Sequence, residues 1–135
     1  MKKIVFVCTG NTCRSPMAEG YLKQKDIKGC EILSRGLAVC EPAASEHSIA
    51  VMKEVGIDIS SHKPQQLTYR DLENVTAIVC MSSSHADMLE SLGFDKLKMQ
   101  VLGVTDPYGQ GVDEYRVCRD EIFRSVDELL EDGII

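Results

Sequence analysis

No apolar run in this 135-residue chain approaches the roughly 20 residues needed to cross a bilayer, and no signal-peptide pattern opens it. Positive charge is scarce. Fifteen Lys and Arg stand against 21 Asp and Glu, a formal charge of −6, which argues against a nucleic-acid-binding surface. The six cysteines form no C-x-x-C pair and no Cys/His spacing of a zinc site. With the missing export signal, that scatter points to a reducing cytoplasm. Repeats, low-complexity tracts and linkers are also lacking. So is the G-x-x-x-x-G-K-[ST] pattern, hence no lysine is set for a second or third phosphate and no hydroxyl for magnesium.

What is present is the composition of an ordinary globule, 44% hydrophobic and 27% charged, long enough for one domain (1–135) around one sizeable core. Its most informative stretch is Val7-Cys8-Thr9-Gly10-Asn11-Thr12-Cys13-Arg14-Ser15-Pro16. Lys3 to Val7 is a β-branched and aromatic run that reads as a buried strand. Pro16 fits a first helical turn, where its missing N–H has no intrahelical partner. Gly10 and Asn11 best tolerate the positive φ that curls such a loop. A strand, a tight loop and a helix start in succession aim backbone N–H groups inward beside a helix dipole, an anion cradle. Cys8 opens the loop and Arg14 closes it. A cysteine facing a helix N-terminus beside an arginine is expected to react as thiolate. The guanidinium can grip two phosphoryl oxygens in a bidentate fork. Such a set suits in-line phosphoryl transfer, and an anionic substrate would be drawn by the loop rather than by the acidic molecule as a whole.

The rest of the chain alternates. Helices are expected from Ser15 to Asp26, Ser45 to Val55, Ser84 to about Gly93, and through the stripe Tyr115, Cys118, Ile122, Val126 and Leu129 to the C-terminus. Strands are expected at Glu31–Ser34, Thr76–Met81 and Met99–Leu102, with a short capped helix opening at Thr68. Alternation of this kind predicts an α/β fold, a four-stranded parallel sheet with helices on both faces, and the order 2-1-3-4 with the first strand central fits it. Ligands bind such sheets beyond the carboxyl ends of the strands at the reversal of strand order, where the Cys8 loop leaves. Asp106, in the Gly- and Pro-rich loop after the fourth strand, falls on the same sheet edge, though Asp-Pro is also common turn punctuation. Cys30, Cys40 and Cys118 read as fillers of apolar positions.

The loop resembles the C-x5-R-[ST] signature of cysteine-dependent phosphatases. Its place directly after the first strand resembles the low-molecular-weight protein tyrosine phosphatase family, since larger cysteine phosphatases carry the signature late in the domain. The likeness extends to Gly56-Ile57-Asp58-Ile59-Ser60-Ser61-His62, to Gln66-Leu67-Thr68 and to Asp106-Pro107-Tyr108. It implies a phosphocysteine mechanism acting on a phosphorylated protein, releasing inorganic phosphate, with no cofactor or metal. Cys8 would be the nucleophile, and Arg14 with the amides of Thr9, Gly10, Asn11, Thr12, Cys13 and Ser15 the phosphate site. Asp106 would be general acid and then base, and Tyr108 a wall of the cleft, with Gly109 where many relatives have a second aromatic. Asn11, Ser15, Ser34 and His62 would form the hydrogen-bond network that holds the loop, although His62 also reads as a surface histidine. Cys13 would either form a reversible protective disulfide with Cys8 or simply fill the loop.

Eukaryotic relatives often place an acidic residue after the third strand to steer the arginine. Here Ser82-Ser83-Ser84-His85 stands in its place, which leans toward the bacterial branch. At Thr12, tyrosine-specific relatives carry a bulky aliphatic residue and protein arginine phosphatases a threonine. The resemblance therefore points to phosphoarginine, or phosphotyrosine if Thr12 only satisfies a loop amide. Two alternatives stand beside it. One is an arsenate reductase on the same fold, whose cysteine relay would need Cys80 and the distant Cys118. The other is a non-catalytic phosphoprotein-binding or redox-sensing module, against which the pairing of Cys8 with Asp106 speaks.

Overall fold

The structure, a computed structural model, describes residues 1–135. Four parallel strands lie in the order β2-β1-β3-β4: β1 Lys2–Cys8, β2 Cys30–Gly36, β3 Ala77–Cys80 and β4 Met99–Val101. Central β1 is buried on both faces from Ile4 to Cys8, as expected of a continuous apolar run in a parallel sheet. Its side chains alternate between two cores. Ile4, Phe6 and Cys8 face the larger, with Met17, Val79, Ile122 and Val126; Val5 and Val7 face the smaller, with Ile78, Cys80 and Leu89. Each fully buried Ile, Val or Phe of this kind contributes about 1.5–3 kcal/mol.

The larger core is covered by helices α1 (Arg14–Gln24), α2 (Glu46–Lys53) and α4 (Val112–Glu131), the smaller by α3 (Ser83–Ser91). The stripe read along α4 is buried as expected. Arg119 joins it, its guanidinium held by the Val51 carbonyl and Glu54. Tyr21 of α1 stacks on Phe123 of α4 with ring centroids 3.9 Å apart, and its hydroxyl donates to Asp127.

Element boundaries differ from expectation by one or two residues, except that α4 starts three residues before Tyr115 and stops four short of the C-terminus, and one difference matters. α3 begins at Ser83 with Ser82 as its cap, because Ser82 N–H donates to Nδ1 of His85 three residues on. The β1 register, Cys8 opposite Gly36 and Val7 opposite Cys80, brings the carboxyl ends of three strands to one edge.

Candidate active site

The Cys8 loop runs from the end of β1 into the first turn of α1, so its curl lies between a fixed strand and a fixed helix. Asn11 takes the left-handed conformation, φ 57°, while Gly10 does not. The reason Asn11 accepts this cost lies in its side chain. Its Oδ1 accepts from Gln65 N–H at 2.9 Å, which orients the amide so that Nδ2 donates to Ser15 Oγ at 2.8 Å and to Ser34 Oγ at 3.0 Å. Ser34 in turn donates to Glu19. His62 Nε2 donates to the Asn11 carbonyl at 2.9 Å, and its Nδ1 lies 3.9 Å from Glu19. One buried network thus gathers Asn11, Ser15, Ser34 and His62, together with Glu19 and Gln65.

The network ends on sulfur. Ser15 Oγ, which accepts from Asn11, lies 2.8 Å from Cys8 Sγ, and Asn11 N–H donates to the same sulfur at 3.2 Å. Cys13 points elsewhere, with its Sγ 3.3 Å from the Tyr115 hydroxyl; burial and that thiol hold the Tyr115 phenol above its ordinary range. All six cysteines are free thiols.

Arg14 is buried, anchored by Nη1 donating to the Val104 carbonyl at 3.1 Å, with Nη2 3.6 Å from Asp106. Asp106 is half-exposed, and its Oδ1 accepts the Tyr108 N–H at 3.0 Å, a turn that sets the carboxyl at the mouth. Cys8, Thr9, Gly10, Thr12, Cys13, Arg14, Asp106 and Tyr108 all line one cavity of about 250 Å³. It can receive a tetrahedral anion with a thiol below, a guanidinium beside and a carboxyl above. Asn11 and Ser15 lie behind this lining. A neighbouring cavity shares Asp106 but is lined by Asp113, Glu114 and Glu121 with no cation, and so repels an anion.

Several residues at the site carried no sequence signal. Glu19 accepts from Ser34, Gln65 N–H donates to Asn11, and the Val104 carbonyl accepts from Arg14. Tyr115 read only as core. His85 read as a helix residue in the stretch that replaces the acidic residue of eukaryotic relatives, and its Nε2 is 2.9 Å from Thr9 Oγ1. Cys40, expected in an apolar position, is exposed and lines the cavity with Ala38 and Glu41. The reason is that the segment after β2 is tied over the loop by Leu37 N–H to the Cys8 carbonyl and Ala38 N–H to the Thr9 carbonyl. Nowhere are three or more His, Cys, Asp or Glu side chains gathered as a metal site requires.

Comparison with known proteins adds an independent line. The family model for low molecular weight phosphotyrosine protein phosphatase matches residues 3–132. A protein-arginine-phosphatase from Geobacillus stearothermophilus is 39% identical, over 96% of this chain and 94% of its own. An arsenate reductase from Staphylococcus aureus is 36% identical over 95% of each chain. The crystal structure of a low molecular weight protein tyrosine phosphatase from T. tengcongensis superposes with a TM-score of 0.89 at 36% identity, covering 98% of this chain and 99% of that one. Identity alone does not separate the three activities named for these relatives.

Proposed function

The chain belongs to the low molecular weight phosphotyrosine protein phosphatase family and is a cysteine-dependent phosphatase of its bacterial branch, and on that premise we propose that it hydrolyses phosphoarginine residues of proteins through a phosphocysteine intermediate. Cys8 sulfur attacks phosphorus in line, forming the S–P bond as the P–N bond breaks. Arg14 and the loop amides take up the charge on the equatorial oxygens. Asp106 gives its proton to the departing guanidine nitrogen, then accepts one from the water that attacks phosphorus. The S–P bond breaks, phosphate leaves and the thiolate returns.

The observation that carries the choice of phosphoarginine is the state of Thr12. Its side chain lines the cavity beside Cys8 and Arg14, and its hydroxyl meets Cys13 Sγ at 3.6 Å and no loop amide. With only that long contact to a thiol and no amide to satisfy, the hydroxyl can turn to a polar substrate, and a threonine gives a phenyl ring little to pack on. The arsenate reductase reading finds less support. Cys80 is fully buried in the smaller core, across the sheet from Cys8, its thiol pushed up by burial to about 12. Cys118 is pushed up to about 12 as well, chiefly by burial. Neither is poised to relay a disulfide.

The test is kcat/KM on phosphoarginine and phosphotyrosine peptides, with reductant and chelator present, for wild type and Thr12→Ile. Wild type should prefer phosphoarginine. The substitution adds apolar surface and removes the hydroxyl, and one such contact is worth about 10–200-fold. The phosphotyrosine-to-phosphoarginine ratio should therefore rise at least about tenfold. A wild type that prefers phosphotyrosine, with a ratio indifferent to Thr12→Ile, overturns the arginine assignment.

A further inference from the structure

His85 is buried at the start of α3, far in sequence from the Cys8 loop, and its two ring nitrogens have different partners. Ser82 N–H lies 3.2 Å from Nδ1, and the Ser82 hydroxyl, able to donate or accept, lies 3.0 Å from it. A backbone N–H can only donate, so Nδ1 is the acceptor and the ring proton sits on Nε2. Nε2 is 2.9 Å from Thr9 Oγ1, and there it donates. The Thr9 oxygen, once it accepts, is left with its own proton. That proton has no other protein partner, while Thr9 is exposed and lines the cavity with Cys8 and Arg14.

We propose that the Thr9 hydroxyl is a further hydrogen-bond donor to the phosphoryl group in the Cys8–Arg14 loop, with His85 as the positioning residue that turns the hydroxyl's proton toward the anion. A hydroxyl free to rotate offers an anion either its proton or its lone pairs. One whose lone pair is already occupied by an N–H offers the proton. The arrangement requires a neutral ring, because a proton on Nδ1 would abut Ser82 N–H. Burial, and then the Arg14 charge, keep the ring neutral against the opposing pull of Asp106, lowering it from 6.5 to about 4. The inference rests on the loop as a phosphoryl site and holds for phosphoester and phosphoramidate substrates alike.

The probe is inorganic phosphate as a competitive inhibitor, with Ki measured for each protein. A hydrogen bond to a charged group is strong enough that Thr9→Val should raise Ki about tenfold or more. Thr9→Ser should restore it to near the wild-type value. His85→Ala should raise Ki in the wild-type background, yet by no more than about twofold when Thr9→Val is already present, since the two act through one bond. Equal effects of His85→Ala in both backgrounds would mean that His85 only supports the fold, and would overturn the proposal. So would a Ki unmoved by Thr9→Val. Wild type that binds no phosphate would overturn the loop reading along with it. The substrate assignment fails on a ratio of kcat/KM values and this one on a phosphate Ki, so the two failures are distinguishable.

Discussion

In the proposed reaction Cys8 and Asp106 define the chemistry residue by residue. The sulfur accepts from Asn11 N–H beside the Ser15 hydroxyl, while Asn11 is also held by Gln65, Ser34 and His62, none of which touches the sulfur. Cys8→Ser should therefore abolish turnover and leave phosphate binding in place, because Arg14 and the amides remain. Acid quenching of wild type with labelled substrate should trap phosphate on Cys8. Full activity in Cys8→Ser would exclude the covalent route. Asp106 stands at the mouth, paired with Arg14 and fixed by the Tyr108 amide. Its replacement by Asn should lower kcat by about 10²–10⁴-fold, the usual worth of a general acid or base. The loss should shrink for leaving groups that need no proton. An unaffected kcat would move the acid to Glu41, the other carboxylate that lines the cavity.

At the scale of elements, the loop is shaped as much by β2 as by its own residues. Gly36, the last residue of β2, pairs with Cys8 and passes directly under the curl. A Cβ there would lie 2.8 Å from the Thr9 carbonyl oxygen and 3.0 Å from Asn11 N, both backbone atoms. The strand cannot retreat, because Gly36 N–H donates to the Gln65 carbonyl and its own carbonyl accepts Leu67 N–H. The strain must enter the loop. Gly36→Ala should cost about 1–3 kcal/mol in stability, typical of overpacking, and weaken phosphate binding. Thermal unfolding and phosphate Ki read the two effects. A stable variant with intact phosphate affinity would show the loop to be self-sufficient.

For the molecule as a whole, the buried His85 couples the site to acid stability. In the folded state burial and Arg14 lower it to about 4, against an ordinary 6.5. Between those values the unfolded chain binds a proton there and the folded chain does not, so stability falls as pH drops from about 6.5 toward 4. Asp71 acts lower on the scale: burial raises it, but the Thr68 N–H and Arg35 outweigh burial and hold it below 3.8. Its contribution is lost only at more acid pH, so the two windows separate. Denaturant unfolding across this range should show a shallower slope for His85→Gln than for wild type between pH 6.5 and 4. Identical slopes would mean that His85 takes up its proton without unfolding.

Much of this molecule can be read from the order of its residues. The Cys8–Arg14 cradle is one contiguous stretch, so its chemistry needs no register to assemble. A parallel sheet between helices follows from apolar runs alternating with helical stripes, because hydrophobic periodicity is a local property, and 2-1-3-4 is an order that fits such alternation. Asp106 on the same edge required only that strands β1 and β4 be parallel, and the resemblance of Asp106-Pro107-Tyr108 to its family. What folding alone decided is which distant groups meet. Asn11 finds Gln65, Thr9 finds His85 across 76 positions, and Arg14 finds the Val104 carbonyl across 90, whereas the meeting of Asn11 with Ser34 was already implied by the family resemblance. None of these partners differs in type from any other serine, glutamine or histidine of the chain. Each is selected by strand register and by where a crossover lands, and a hydrogen bond requires that placement to within a few tenths of an ångström. The same cause moved Cys40 from an expected core position to the cavity wall. The two amide bonds that fold the segment after β2 back over the loop are set by the tertiary fold, and no pattern along the segment announces them.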